Sequence, residues 1–101
     1  MLDRLREICS LNGASGDESR VRDHIKARIA ADEIAVDNLG NLLVFKRGKK
    51  SPKNKIMFAA HMDEVGFMIT DITDDGFLRF GAVGGIDPRV VIGRGLSLPT
   101  A

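Results

Sequence analysis

The stretch "KIMFAAHMDEVGF", Lys55 to Phe67, constrains the fold more than any other part of the chain. Five consecutive apolar residues, Ile56 to Ala60, run directly into His61, Met62, Asp63 and Glu64. Successive side chains of a strand point to opposite faces, so this run makes both faces apolar. A strand of that kind belongs in the middle of a sheet covered on both sides. The expectation is therefore a layered α/β arrangement with Ile56 to His61 as a central strand. His61 and Asp63, two residues apart, would share a face at its C-terminal end, where open α/β sheets bind ligands.

The flanking sequence supplies other elements. Leu2, Leu5, Ile8 and Cys9 recur at helical spacing and predict a short amphipathic helix with Cys9 on its apolar face. Asn12-Gly13, two residues that tolerate positive φ, would end it. Ser15 and Glu18 have capping-box spacing, opening a second helix that runs to about Ala31 with Val21, Ile25 and Ile29 as its buried stripe. Ile34–Asp37 and Asn41–Lys46 read as a hairpin turned by Asn38 and Gly40. Gly48 to Lys55, with Pro52 inside, reads as a solvated basic loop. Phe67–Thr73 and Phe77–Val83 read as a second hairpin across Asp75-Gly76. Gly84 to Pro88 is a turn, and Arg89–Gly93 opens a further strand. The order is α, α, then β only, and so many strand edges leave pairing groups open.

Composition narrows the functional classes. With a formal net charge of +1 there is no general attraction to nucleic acid or anionic membrane. Trp and Tyr are absent, so base-stacking platforms are poorly supplied. A single cysteine, Cys9, excludes an internal disulfide framework. The N-terminus "MLDRLREICS" interrupts its apolar residues with charges and matches neither a signal peptide nor a membrane span. The expected location is cytoplasmic.

Imidazole is the commonest protein ligand for zinc-like metals, and a nearby carboxylate can accept its other N–H, fixing tautomer and orientation. His61 and Asp63 are therefore a candidate metal ligand and its orienter. On spacing alone, a plain hydrogen-bonded pair at a strand end is the stronger reading. One histidine cannot hold a metal, and the other, His24, reads as a helix-flank residue. Asp17 and Glu18 read as first-turn helix acids, Asp74 and Asp75 as turn residues. Gly84-Gly85 lacks the context of a phosphate cradle.

The motifs taken together are more specific. "AAHMDEVGFMIT" followed by "DGFLRFGAVGGIDPRVVIGR", with "SGDE" and "DNLGNLLVFKRG" upstream, closely resembles the tetrahedral-aminopeptidase family of dinuclear metallo-aminopeptidases. The family includes glutamyl and deblocking aminopeptidases, and its members often carry an endoglucanase-like label. The resemblance covers essentially the whole chain. It implies that His61 ligates one of two divalent ions, zinc or cobalt, and that Asp63 is the active-site acid that orients it. The remaining ligands and the glutamate base would lie farther along a full-length member. It also implies a zinc-peptidase-like α/β catalytic domain whose first segment is residues 1–67. Residues 68–101 would open a β-rich inserted dimerisation domain. Full-length members would act on peptides and assemble from dimers to dodecamers. The isolated chain would then be inactive. The alternative is a non-catalytic interaction module that pairs with a full-length homologue through exposed β edges. A glycan-cleaving role finds no pair of carboxylates to support it.

Overall fold

The computed structural model describes residues 1–50 and 53–98. It is a mixed structure of helices and strands, ordered α1 (Leu2–Cys9), α2 (Ser19–Arg28), β1 (Glu33–Val36), β2 (Leu42–Phe45), β3 (Gly66–Ile72), β4 (Leu78–Val83) and one 3-10 turn, Pro88–Val90. The strands form two separate antiparallel pairs, β1–β2 and β3–β4. Pro52 and the last three residues of the chain, which fall in the expected basic loop and C-terminal segment, lie outside the described residues.

The two hairpins follow from their turns. Asp37 Oδ1 accepts from the backbone N–H of Leu39 and Asn41 at 3.0 and 2.9 Å, and Asn41 Nδ2 donates to Oδ2 at 2.8 Å. Gly40 sits at φ +85°, which a Cβ would disfavour. These contacts fix the register Glu33↔Phe45 to Val36↔Leu42. In the second hairpin Gly76, at φ +82°, turns the chain, and Thr73 Oγ1 accepts from Phe77 N–H at 3.0 Å. β3 and β4 pair from Gly66↔Val83 to Ile72↔Leu78 with a bulge between Ile69 and Asp71. Phe67 and Phe80 meet edge-on across it, ring centres 4.8 Å apart.

Four expectations are corrected. The segment Ile56 to His61 joins no sheet, and Ile56, Met57 and Phe58 are 82%, 88% and 94% exposed. A strand apolar on both faces needs neighbours at both edges and cover on both sides, and the described residues supply neither. Arg89 to Gly93 is not a strand: Pro88 fixes φ and Asp87 Oδ1 accepts from Arg89 N–H at 3.0 Å, which starts a 3-10 turn. The second helix begins at Ser19 and ends at Arg28, short of Ala31. Ser15 lies outside it, and the Glu18 carboxylate accepts from Gly16 N–H at 2.7 Å. Of its expected stripe Val21 is buried, Ile25 half-buried and Ile29 exposed. Finally, α1 turns no face inward. Leu2, Leu5 and Cys9 are exposed, because among the described residues no element covers that side.

Burial is concentrated at one place. Val21, 4% exposed, is the one buried hydrophobic side chain among the described residues. It presses on Gly13, which is itself buried. A Cβ built on Gly13 would lie 2.7 Å from Val21 Cγ2. Gly13 is therefore needed for space; it does not have positive φ, and α1 has already ended at Ser10. The radius of gyration is 18.0 Å, against about 13 Å for a closed domain of about 100 residues. The elements are arranged in the open, around this small centre.

Candidate functional site

The residues after the unpaired apolar segment are fastened to the Gly13 centre. Glu64 N–H donates to Gly13 O at 2.8 Å, and Gly13 N–H donates to Glu64 Oε1 at 3.1 Å. The two strands of chain run parallel at this bridge, Ala14 beside Glu64. The fit continues C-terminally. A Cβ on Gly66 would lie 3.1 Å from Ala14 Cβ, and one on Gly84 would lie 2.8 Å from Val65 Cγ1. Small residues thus let the 13–14 loop, the 62–66 segment and the turn after β4 approach closely. Glu64 was given no role by sequence reasoning. Its partner is 51 residues away, so no local spacing could reveal the clasp.

His61 and Asp63 stand immediately before this clasp. His61 Nδ1 lies 3.0 Å from Asp63 Oδ1 and 2.9 Å from the Asp63 carbonyl oxygen. A carboxylate and a carbonyl can only accept, so Nδ1 must carry the proton it shares with them. In its neutral form the ring then presents the Nε2 lone pair outward. The His61 side chain is 85% exposed and that of Asp63 39%. The exposed imidazole is thus held at its base and open at its tip. The sequence brought these two residues together through strand alternation; the structure does so without a strand, in a segment of no regular structure.

The other candidates fall elsewhere. His24 Nε2 faces Glu7 Oε2 at 3.6 Å, joined by Arg28 Nε at 3.3 Å, in a contact between the two helices. Asp17 accepts from Ser19 Oγ at 3.1 Å, and Glu18 holds Gly16, so both serve the start of α2. Two acids elsewhere have lowered pKa values. Asp37 is held down first by the Asn41 side-chain amide, and Asp87 first by the Arg89 guanidinium, which grips it at 2.6–3.1 Å. Both are turn-forming carboxylates.

Among the described residues no three His, Cys, Asp or Glu side chains converge to hold a metal ion. The donor chemistry of His61 fits one corner of a metal site: a free Nε2 backed by a carboxylate on Nδ1. It does not fit a whole site, which needs three or four protein ligands.

The family model described as M42 glutamyl aminopeptidase matches residues 40–101. A putative aminopeptidase of Acetivibrio thermocellus is 49% identical over 96 residues, covering 93% of this chain and 28% of that protein. The glutamyl aminopeptidase of Lactococcus lactis subsp. cremoris is 39% identical, covering 99% of this chain and 29% of its own. The crystal structure of a Thermotoga maritima protein titled endoglucanase superposes with a TM-score of 0.78 at 48% identity, over 85% of this chain and 28% of that one. The chain therefore spans under a third of the length of these relatives. Among the described residues no helix is long and apolar enough to cross a membrane. With the family model matching more than half of its residues, the chain belongs to the M42 glutamyl aminopeptidase family.

Proposed function

We infer that this chain is one part of a metal-dependent aminopeptidase that removes N-terminal residues from peptides. His61 contributes one metal ligand through Nε2, and Asp63 is a positioning acid that holds the ring. The observation that carries the reading is the His61 Nδ1–Asp63 Oδ1 contact of 3.0 Å under an exposed ring, since it leaves one ring nitrogen free to bind. Divalent zinc or cobalt, two ions in the complete site, would supply a bound water of lowered pKa. What the present residues do is narrower: they fix a tautomer and aim a lone pair. Asp63 takes no proton from a substrate in this reading.

In the same reading residues 1–67 are the first segment of a zinc-peptidase-like α/β catalytic domain, and residues 68–101 open an inserted β domain for dimer contacts. β3 runs across that boundary, so the passage is made along a strand. The complete protein would be a cytoplasmic homo-oligomer. The peptidase part of the reading is supported by the family match and by the aminopeptidase names of the relatives.

The chain by itself is expected to be inactive, because three converging ligands are lacking among its described residues. The test is an assay with amino-acid p-nitroanilides in added zinc or cobalt. Metal-dependent turnover that survives His61→Ala would overturn the assignment of His61; turnover lost with it would overturn the inactivity.

A further inference from the structure

The peptide unit between Asp63 and Glu64 is held at both ends. Its N–H, that of Glu64, donates to Gly13 O at 2.8 Å. Its C=O, that of Asp63, lies 2.9 Å from His61 Nδ1. No peptide bond among the described residues is cis, so this N–H and C=O lie in one plane and point in opposite directions. Aiming the N–H at Gly13 therefore aims the C=O at the imidazole. Gly13 is a firm anchor. It is buried, its own N–H donates to Glu64 Oε1 at 3.1 Å, and a Cβ on it would stand 2.7 Å from Val21 Cγ2. The Asp63 carboxylate, 3.0 Å from the same ring nitrogen, is a different kind of partner. Its side chain is 39% exposed and turns about its own bonds, so water competes with it. A carbonyl fixed in the backbone cannot swing away.

We propose that Gly13 is a positioning residue for His61: through the Asp63–Glu64 peptide its carbonyl holds a second, backbone acceptor on Nδ1, beside the Asp63 carboxylate. The bonds run in series, from His61 Nδ1–H to Asp63 C=O and from Glu64 N–H to Gly13 C=O. Each polarises the peptide between them, so each strengthens the other. Both acceptors favour the Nδ1–H form of the ring, which leaves Nε2 free for a metal. The Asp63 carboxylate is then not the sole orienter, and the ring keeps part of its preference without it. The inference rests on the reading of His61 as a ligand through Nε2, and it adds a residue of the α1–α2 connection to that corner of the site.

The test is nitrogen-15 NMR of the His61 ring in the 101-residue chain, without metal and at alkaline pH, where an imidazole is neutral. Asp63→Ala leaves the carbonyl as the one local acceptor. The ratio of Nδ1–H to Nε2–H should fall below that of the parent. It should still exceed, by about two- to tenfold, the ratio in a synthetic peptide of residues 59–65 with the same substitution, which lacks Gly13; a net hydrogen bond is worth about that factor. Adding Glu64→Ala, which deletes the carboxylate half of the anchor, should lower the ratio toward that of the peptide. Adding Glu64→Gln instead keeps an acceptor for Gly13 N–H and should leave the ratio of Asp63→Ala unchanged. Amide exchange at residue 64 is followed in each variant. A purely structural clasp would speed that exchange in Glu64→Ala without moving the tautomer ratio, and this result would overturn the proposal. So would equal ratios in the Asp63→Ala chain and the peptide, or a Glu64→Gln variant that behaves as Glu64→Ala. Should a double variant unfold, the comparison of Asp63→Ala with the peptide decides alone. No readout involves metal or turnover. Failure therefore leaves ligation through Nε2 standing, and failure of that ligation leaves the tautomer ratios readable.

Discussion

Gly13→Ala tests whether the small centre around Val21 holds the site in place. The added Cβ would lie 2.7 Å from Val21 Cγ2 and 3.5 Å from the Met62 carbonyl oxygen. Carbon atoms of this kind rest at about 3.5–4.0 Å, so something must move. Val21 has little freedom to yield, because a β-branched side chain in a helix keeps one strongly preferred rotamer. Overpacking of this sort costs about 1–3 kcal/mol. Val21→Ala alone loses two methyl groups of buried surface, about 1.5 kcal/mol at about 0.8 kcal/mol per group. It also removes the atom that Gly13→Ala would strike. The double variant should therefore be no less stable than Val21→Ala alone, a coupling of about the whole overpacking cost. The chain has no Trp or Tyr, so urea unfolding is best followed by circular dichroism. Amide exchange at Glu64 gives the local readout, since its N–H donates to Gly13 O at 2.8 Å. Additive losses in the double variant, or unchanged Glu64 exchange in Gly13→Ala, would refute the spatial argument.

Gly84→Ala meets two obstacles, a contact of 2.8 Å with Val65 Cγ1 and a φ of +89°; it should cost about 1–3 kcal/mol. Val65→Ala should restore only part of that loss, because the backbone strain stays; complete rescue would show that φ is immaterial. Asp37 is a carboxylate with a lowered pKa, so its contribution to the first hairpin is present above its ordinary value of 3.8 and fades as pH falls through the lowered value. Amide exchange at Leu39 and Asn41 should rise in that acid range, and Asn41→Ala, which deletes the largest cause, should move the rise to higher pH. For the site itself, nitrogen-15 NMR should find His61 as the Nδ1–H tautomer, and Asp63→Ala should shift population toward Nε2–H. A parent protein already in the Nε2–H form would contradict the geometry.

Local chemistry was legible in the sequence, and its limits are physical. Asp37-Asn38-Leu39-Gly40-Asn41 announced a hairpin because a turn is built from its own residues, and Asp75-Gly76 did the same. α1 was readable from its period. Ile56 to Ala60 was readable as a run that wants burial on two faces, yet burial is a property of neighbours, and the described residues bring none. Arg89 to Gly93 failed for a different reason: β-branched residues suggested a strand, and Asp87-Pro88 imposed a turn first. Ser15 does not cap the second helix, which starts at Ser19 with no side-chain cap; the Glu18 carboxylate accepts from Gly16 N–H instead. His61 and Asp63 were paired correctly from spacing two apart, although the reason given, alternation along a paired strand, is absent from the structure. Their contact survives because two residues of separation keep the side chains within reach even where no strand forms.

That survival has a structural cause. A histidine at the end of an unpaired segment would ordinarily share its freedom. Here Glu64, one residue past Asp63, is tied to Gly13 by two backbone-anchored hydrogen bonds, one of them to its own carboxylate. Gly13 is in turn locked under Val21, the best-buried side chain of the described residues. The pair therefore takes its position from the α1–α2 connection on its C-terminal side, not from the sheet on its N-terminal side. Glu64→Ala, which removes the side-chain half of the clasp, should therefore lower the Nδ1–H tautomer population of His61 read by nitrogen-15 NMR, whereas Phe58→Asp, at an exposed position before the site, should leave it unchanged. The reverse pattern would mean that the segment on the N-terminal side, and not the clasp, builds this corner of the site.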